Sequence, residues 1–216
     1  MVDKHIVTFG GLRPSRGRTH PLISYVLSLS DKDYPKVCFI PTATGDSAAS
    51  IVAFYDRFPA SDAQRSHLAL FNRTIYNIEE YLLDQDIIMV GGGNTANMLA
   101  TWRVHGVDIA LKKAWDSGVI MCGGSAGSLC WFECGTTDSF NLNELEPLHD
   151  GHHGPGLWIV LVLHGLLGNA QVPSHSRQPG LSAGWNHGEC GPRQYQHALV
   201  RPGAVVSDAG PAGLDL

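Results

Sequence analysis

The stretch VIMCGGSAGSLCWFE, residues 119–133, decides how the rest of the chain is interpreted. Residues 119–122 are apolar and predict a short buried strand, after which the chain passes through Gly123 and Gly124 to Ser125. A G-x-S-x-G pattern between a strand and a helix is typical of a serine exposed on a sharp turn, because bulky neighbours would block the bend. An ordinary glycine-rich loop can have the same residues, so the pattern by itself leaves both interpretations open.

Around this stretch, residues 5–140 alternate between predicted strands and predicted helices. Buried strands are expected at residues 5–9, 37–40, 66–70, 86–90 and 119–122. Helices are expected at residues 21–29, 47–58, 77–83, 94–105 and 107–117, with Ser47 as the N-cap of the second. This alternation predicts an α/β fold with a mostly parallel sheet that is covered by helices on both faces.

Two glycine-rich corners follow predicted strands, GGG at residues 91–93 and GG at residues 123–124. Open parallel sheets place their working residues just beyond the carboxyl ends of the strands. Both corners are therefore expected at the same edge of the sheet, which favours a functional site over a plain loop.

Length, charge and cysteine usage limit the classes of function. A chain of 216 residues and 23.3 kDa fits a single domain over residues 1–216. The net charge of −5 favours neither nucleic acid nor an anionic membrane as a partner. No apolar run reaches the roughly 18 residues of a membrane span, and the first residues lack a signal region. Five cysteines without a CxxC pair predict reduced thiols and a cytoplasmic location.

Ser125 would need help from other groups to act as a nucleophile. A serine hydroxyl requires a base within hydrogen-bond reach and a third group that orients the base. Backbone N–H groups must also stabilise the developing oxyanion, and Ala126 and the corner at residues 91–93 could supply them. This chemistry requires no metal and no organic cofactor.

Three other motifs could suggest a metal site, a phosphate site or a cysteine nucleophile, but each lacks a residue that the function needs. The histidines of HDGHHG, residues 149–154, lack the partners that a zinc site needs and fit a polar loop. GGGNT at residues 91–95 lacks the lysine and hydroxyl pair of a phosphate-binding P-loop. Cys122 and Cys130 lie near Ser125 along the chain, but the residue at the turn itself is the serine.

Residues 89–140, which contain GGGNT, GGSAGSLCWFE and TTDSF, resemble peptidase family S51, the group of dipeptidase E (α-aspartyl dipeptidase) with cyanophycinase among its relatives. FGG at residues 9–11 and CFIPTATGDS at residues 38–47 extend the resemblance upstream. The resemblance implies a flavodoxin-like or class I glutamine amidotransferase-like three-layer α/β/α sandwich. It also implies a serine peptidase for short peptides, particularly dipeptides with an N-terminal aspartate.

The family pattern implies a role for several residues of this chain. Ser125 matches the nucleophile. The residues matched to the oxyanion hole are Gly92, Gly93 and Ala126. Those expected to contact the substrate are Asn94, Thr95 and Arg177, of which Arg177 is a weak match for the cation that would bind an aspartate side chain. The expected partner is a small peptide, and a homodimer is left as an option.

The acid and the base of the implied triad follow the serine. The family's acidic residue lies in a segment like TTD, so Asp138 is the better match and Glu133 is the alternative. His164, 39 residues after Ser125, is the best positional match for the base. The Cys-Pro and Tyr-Asp neighbours that usually flank this histidine are absent here.

Residues 141–216 depart from the family pattern that residues 1–140 follow. They contain no lysine, but 12 of the 25 glycines, 7 of the 12 prolines and 7 of the 11 histidines. A shifted reading frame after about residue 140 predicts this composition, although LSAGW at residues 181–185 is again similar to the family. The alternative to an active peptidase is therefore a catalytically impaired relative with an altered C-terminal region.

Overall fold

The computed structural model of the protein describes residues 4–10, 20–132, 136–141, 146–147 and 205–207. The strands are β1 His5–Phe9, β2 Lys36–Ile40, β3 Gln64–His67, β4 Ile87–Val90, β5 Ile120–Gly124, β6 Thr136–Thr137, β7 Glu146–Pro147 and β8 Val205–Ser207. The helices are α1 Pro21–Ser28, α2 Ala48–Arg57, α3 Ile78–Leu83, α4 Thr95–His105, α5 Val107–Asp116 and α6 Ala126–Leu129, with a 3-10 helix at Thr42–Thr44. No helix in these ranges is long and apolar enough to cross a membrane.

The main sheet has the strand order β3-β2-β4-β5-β1-β8. Its first five strands are parallel, and β8 runs antiparallel to β1 at the edge. Flavodoxin-like sheets have the strand order 2-1-3-4-5. The order β3-β2-β4-β5-β1 has the same spatial pattern when β2 is counted as the first strand and β1 as the last. Every residue of β4 and β5 is buried, as expected for central parallel strands that helices cover on both faces. The predicted mostly parallel α/β fold is confirmed.

Alternate residues of each strand pack into one of two cores, because side chains of a strand point to opposite faces. Met89 of β4 belongs to a core that includes Phe54 of α2 and residues of α1. Its neighbour Val90 belongs to the opposite core, with Trp102 of α4 and Leu111 of α5. The result is a three-layer α/β/α sandwich, with α1 and α2 on one face and α3, α4 and α5 on the other.

Some element boundaries differ from the sequence prediction. The bounds expected for this strand, residues 66–70, are wrong by two residues at the start and three at the end, because β3 spans Gln64–His67 and pairs with β2 there. Leu68 and Leu70, which the predicted range included, are buried just beyond the strand end instead. Ser47 is the N-cap of α2 as expected, yet its side chain makes no capping hydrogen bond.

Candidate active site

Ser125 occupies a strained turn between β5 and α6. Its backbone angles are φ 57° and ψ −121°, and a positive φ is uncommon for a residue other than glycine. The Ser125 N–H donates to the Phe9 carbonyl at 3.2 Å, and the Ser125 carbonyl accepts from Ser128 at 2.8 Å and Leu129 at 3.1 Å. Strain of this kind costs about 1–3 kcal/mol and is found preferentially at functional sites. The predicted sharp strand-to-helix turn is present at Ser125.

The second glycine of G-x-S-x-G is required by close packing. A Cβ atom on Gly127 would lie 2.1 Å from the Val90 carbonyl oxygen and 3.0 Å from the Gly91 carbonyl oxygen. Only a residue without a side chain lets α6 approach the end of β4 this closely. This approach holds the start of α6, and therefore Ser125, against the neighbouring strand.

The two glycine-rich corners meet, as the sequence predicts. Val90 at the end of β4 is paired with Gly123 of β5, so the residues that follow each strand are neighbours. A Cβ atom on Gly92 would lie 3.0 Å from the Ser125 Cβ and 3.6 Å from its Oγ. The Gly92 backbone therefore faces the serine side chain directly.

Unused backbone N–H groups surround this corner. Gly91 donates its N–H to the Ile40 carbonyl at 3.1 Å, and Asn94 donates to the Ala43 carbonyl at 2.8 Å. Between them, the N–H groups of Gly92 and Gly93 have no acceptor in the described part of the chain. Ala126 opens α6, where N–H groups have no partner within the helix. The corner thus holds donors of the type that can stabilise an oxyanion.

A cavity of about 420 Å³ opens beside Ser125. It lies where the strand order reverses between β2 and β4, which is the usual ligand position in sheets of this type. The described residues that form its wall include strand ends, one face of α2 and the two glycine corners: Phe9, Phe39, Met89, Ala49, Ser50, Ala53, Arg57, Gly92, Gly124 and Ser125. Its volume is in the range of small-molecule pockets, roughly 300–1,000 Å³.

The segment that carries Asp138 is tied to the start of α4. The Asn94 side chain donates from Nδ2 to the Ser139 carbonyl at 2.9 Å. The Thr137 hydroxyl lies 3.4 Å from the Thr95 hydroxyl and 2.6 Å from the Ser139 hydroxyl. Because α4 begins just after the glycine corner of β4, these contacts hold Asp138 at the same edge of the sheet as Ser125.

Asn94 and Thr95 both have structural partners. Asn94 caps α4, since its Oδ1 accepts from the Asn97 N–H at 2.9 Å. Thr95 is buried and contacts Thr137 as described above. These bonds fix the loop that faces Ser125, and direct substrate contact by either residue stays a prediction.

The two cysteines near the serine are not poised for nucleophilic attack. Cys122 and Cys130 are both buried, and burial raises the pKa of each thiol well above its usual value. The Cys130 Sγ also lies 3.3 Å from the Gly127 carbonyl, to which it donates. Both thiols are therefore protonated near neutral pH, and thiolate is the nucleophilic form of cysteine.

Glu133, His164 and Arg177 lie outside the described residues, as does the HDGHHG segment. The base, the alternative acid and the predicted aspartate-binding cation therefore stay predictions. Within the described ranges, no group of three or more His, Cys, Asp or Glu residues could hold a metal ion.

Sequence reasoning missed the cavity wall that α2 supplies, and with it Arg57. The available signal was the spacing of Ala49, Ala53 and Arg57, which recur every four residues and so share one helix face. Small residues on such a face leave space beside the sheet, but the sequence does not tell which face borders a cavity.

Comparison with known proteins gives consistent matches. Residues 6–157 match peptidase family S51. An uncharacterized peptidase of Bacillus subtilis strain 168, YgaJ, is 45% identical over 118 residues, which cover 55% of this chain and 51% of that protein. The chain therefore spans about half the length of this relative.

Two solved structures resemble the fold. A candidate peptidase E protein from Listeria monocytogenes EGD-e superposes with a TM-score of 0.50 at 19% identity, covering 61% of this chain and 63% of that one. A peptidase from an acI-B1 Actinobacterium gives a TM-score of 0.50 at 17% identity, covering 71% and 64%. At these identities the likeness shows the fold alone.

Proposed function

Because the chain belongs to peptidase family S51, we propose that it is a serine peptidase that hydrolyses short peptides, with dipeptides that begin with aspartate as the first candidates. One observation carries the proposal. Ser125 is held at a positive φ of 57°, opposite the unsubstituted Gly92 backbone and on the wall of a cavity of about 420 Å³. A strained serine in close contact with a glycine corner whose N–H groups have no acceptor in the described residues, beside a cavity, supports acyl transfer better than a structural turn.

The proposed reaction forms and breaks one acyl-enzyme bond. The Ser125 Oγ attacks the peptide carbonyl while its proton passes to the base, for which His164 is the proposed residue. The N–H groups of Gly92, Gly93 and Ala126 are the proposed donors to the tetrahedral oxyanion. The base then returns the proton to the leaving amine, and water hydrolyses the ester that remains on Ser125.

Asp138 is the proposed acid that orients the base. The bonds from Asn94 and Thr137 that anchor its segment at the start of α4 support this choice, because they hold the segment in place. An acid in this role must be fixed, because it sets the tautomer and orientation of the imidazole. We expect Asp138→Asn to slow acylation about 10⁴-fold, as loss of the orienting carboxylate does in Ser-His-Asp triads.

A serine-directed fluorophosphonate tests the nucleophile without assuming a substrate. We expect the wild-type protein to gain one adduct, located on Ser125 by peptide mass spectrometry, and Ser125→Ala to gain none. Ser128→Ala is the matched control, because Ser128 is a buried serine of the same turn and should leave the adduct in place. An adduct on another serine, or equal labelling of the Ser125→Ala protein, would contradict the proposal.

A second candidate is a catalytically impaired member of the same family. The observation that favours it is the end of the family match at residue 157, before His164 and the rest of the altered C-terminal third. A folded protein that neither reacts with the fluorophosphonate nor hydrolyses Asp-Leu would support this candidate. Labelling that is lost in His164→Ala would exclude it.

A further inference from the structure

Arg57 is the one charged side chain among the described residues that line the cavity beside Ser125. It is exposed, and it forms no ion pair or hydrogen bond with another residue of the described ranges. The nearby Arg65 differs, since it donates to the Tyr55 and Phe58 carbonyls at 2.8 Å each and is therefore used by the fold. Of these two arginines, Arg57 at the end of α2 is therefore the one whose side chain is available to a ligand.

The geometry of α2 directs Arg57 along the cavity wall. Ala49, Ala53 and Arg57 share one face of the helix, and the eight residue steps from the first to the last span about 12 Å at 1.5 Å per step. Helical side chains lean toward the helix N-terminus. We therefore expect the Arg57 side chain to lean toward Ala53 and the sheet edge that carries Ser125. The two alanines leave this path open.

The rest of the wall suits a peptide with one anionic group. Phe9, Phe39 and Met89 give the cavity an apolar floor, against which the uncharged part of a short peptide can pack. On the same wall, the hydroxyls of Thr44 and Ser50 lie 3.1 Å apart and can hydrogen-bond a polar ligand.

We propose that Arg57 binds a carboxylate of the peptide substrate while Ser125 attacks its scissile carbonyl. The inference rests on the proposed peptidase function and adds a carboxylate-binding residue on α2, separate from Arg177, which only the family resemblance suggested. A guanidinium matches a carboxylate with two parallel hydrogen bonds, so it can fix the position of a short peptide as well as attract it. Two carboxylates are available in Asp-Leu: the aspartate side chain and the free C-terminus.

The test measures peptide binding by titration calorimetry in the Ser125→Ala protein, which cannot turn the ligand over. We expect Arg57→Gln to weaken Asp-Leu binding about 10- to 100-fold, the range for a hydrogen-bonded charge pair. The affinity of the Arg57→Lys protein for Asp-Leu should lie between those of the proteins with arginine and with glutamine at this position, because lysine keeps the charge but not the planar guanidinium. Arg73→Gln is the control: this exposed arginine bonds the Ile75 carbonyl at 2.7 Å and does not line the cavity, so binding should be unchanged.

Two further ligands identify the carboxylate. If Arg57 binds the aspartate side chain, Asn-Leu should bind weakly and equally to the Ser125→Ala protein with and without Arg57→Gln. If it binds the C-terminus, the same result is expected for Asp-Leu amide. Equal binding of all three peptides with and without Arg57, or no binding of any of them, would overturn the inference.

Asp-Leu hydrolysis by proteins that keep Ser125, with and without Arg57→Gln, measured beside the calorimetry, separates this inference from the proposed function. Arg57-dependent binding by a protein that hydrolyses nothing would retain the carboxylate site and reject the peptidase proposal. Hydrolysis of Asp-Leu with normal binding and kinetics in Arg57→Gln would retain the peptidase proposal and reject the role of Arg57.

Discussion

Replacement of Gly127 by alanine tests the packing that holds Ser125 in place. The new Cβ would lie 2.1 Å from the Val90 carbonyl oxygen and 2.6 Å from the Val90 carbonyl carbon. Both neighbours are backbone atoms of the central strand β4, so no side-chain rotation can relieve the clash. The start of α6 would have to move away from the sheet by more than 1 Å to restore ordinary contact distances of about 3.5–4.0 Å. We expect a cost near the upper end of overpacking, about 3 kcal/mol.

Urea denaturation followed by circular dichroism measures this cost. With a slope of about 2 kcal/mol per molar urea, Gly127→Ala should lower the midpoint by about 1.5 M. Gly106→Ala is the matched control, because Gly106 has φ 69° and no atom within 4 Å of an added Cβ. Only the left-handed backbone is penalised there, at about 1 kcal/mol or about 0.5 M. A midpoint for Gly127→Ala that is no lower than that of Gly106→Ala would refute the packing argument.

Three further predictions concern the surroundings of the serine and the surface. Gly92→Ala should slow fluorophosphonate labelling of Ser125 about 10- to 100-fold, because the new Cβ would lie 3.0 Å from the serine Cβ. We expect this substitution to lower the free energy of unfolding by only about 1 kcal/mol. Unchanged labelling would contradict the prediction. Iodoacetamide near pH 8 should leave Cys122 and Cys130 unmodified in the folded protein and modify both in urea, as peptide mass spectrometry can show, because burial raises their pKa values. Hydrogen bonds from neighbouring lysines lower the pKa of Asp116, so its carboxylate stabilises the fold above the usual carboxyl pKa and ceases to do so as the pH falls through the lowered value. Asp116→Asn should therefore lower the free energy of unfolding near pH 7 by at most about 0.5 kcal/mol, because the ion pair of Asp116 with Lys4 is exposed. The urea midpoint should fall slightly at that pH and stay unchanged near pH 2.

The sheet and the meeting of the two corners could be predicted from local sequence. Runs such as residues 86–90 are apolar and end in glycine, so both their burial and their ends are visible in the sequence. The boundary of β3 was not visible in the same way. Its residues are polar, as an edge strand allows, while the apolar and buried Leu68 and Leu70 lie beyond its end.

Contacts between distant parts of the chain could not be predicted. The bond between Asn94 and Ser139 joins residues 45 positions apart, and no local pattern indicates it. Arg57 is similar: its place on the cavity wall depends on which face of α2 packs against Phe39 and Met89. The roles assigned to Asp138 and His164 came from resemblance to the family rather than from any property of the residues themselves.

The most direct test of the central claim, that Ser125 is the catalytic nucleophile, is the rate of Asp-Leu hydrolysis by the wild-type protein and by Ser125→Ala. We expect measurable hydrolysis by the wild-type protein and a rate lower by a factor of about 10⁴ or more in the variant, as for other serine peptidases that lose the nucleophile. A Ser125→Ala protein that hydrolyses Asp-Leu as fast as the wild type would contradict it, and so would a folded wild-type protein with no hydrolysis at all.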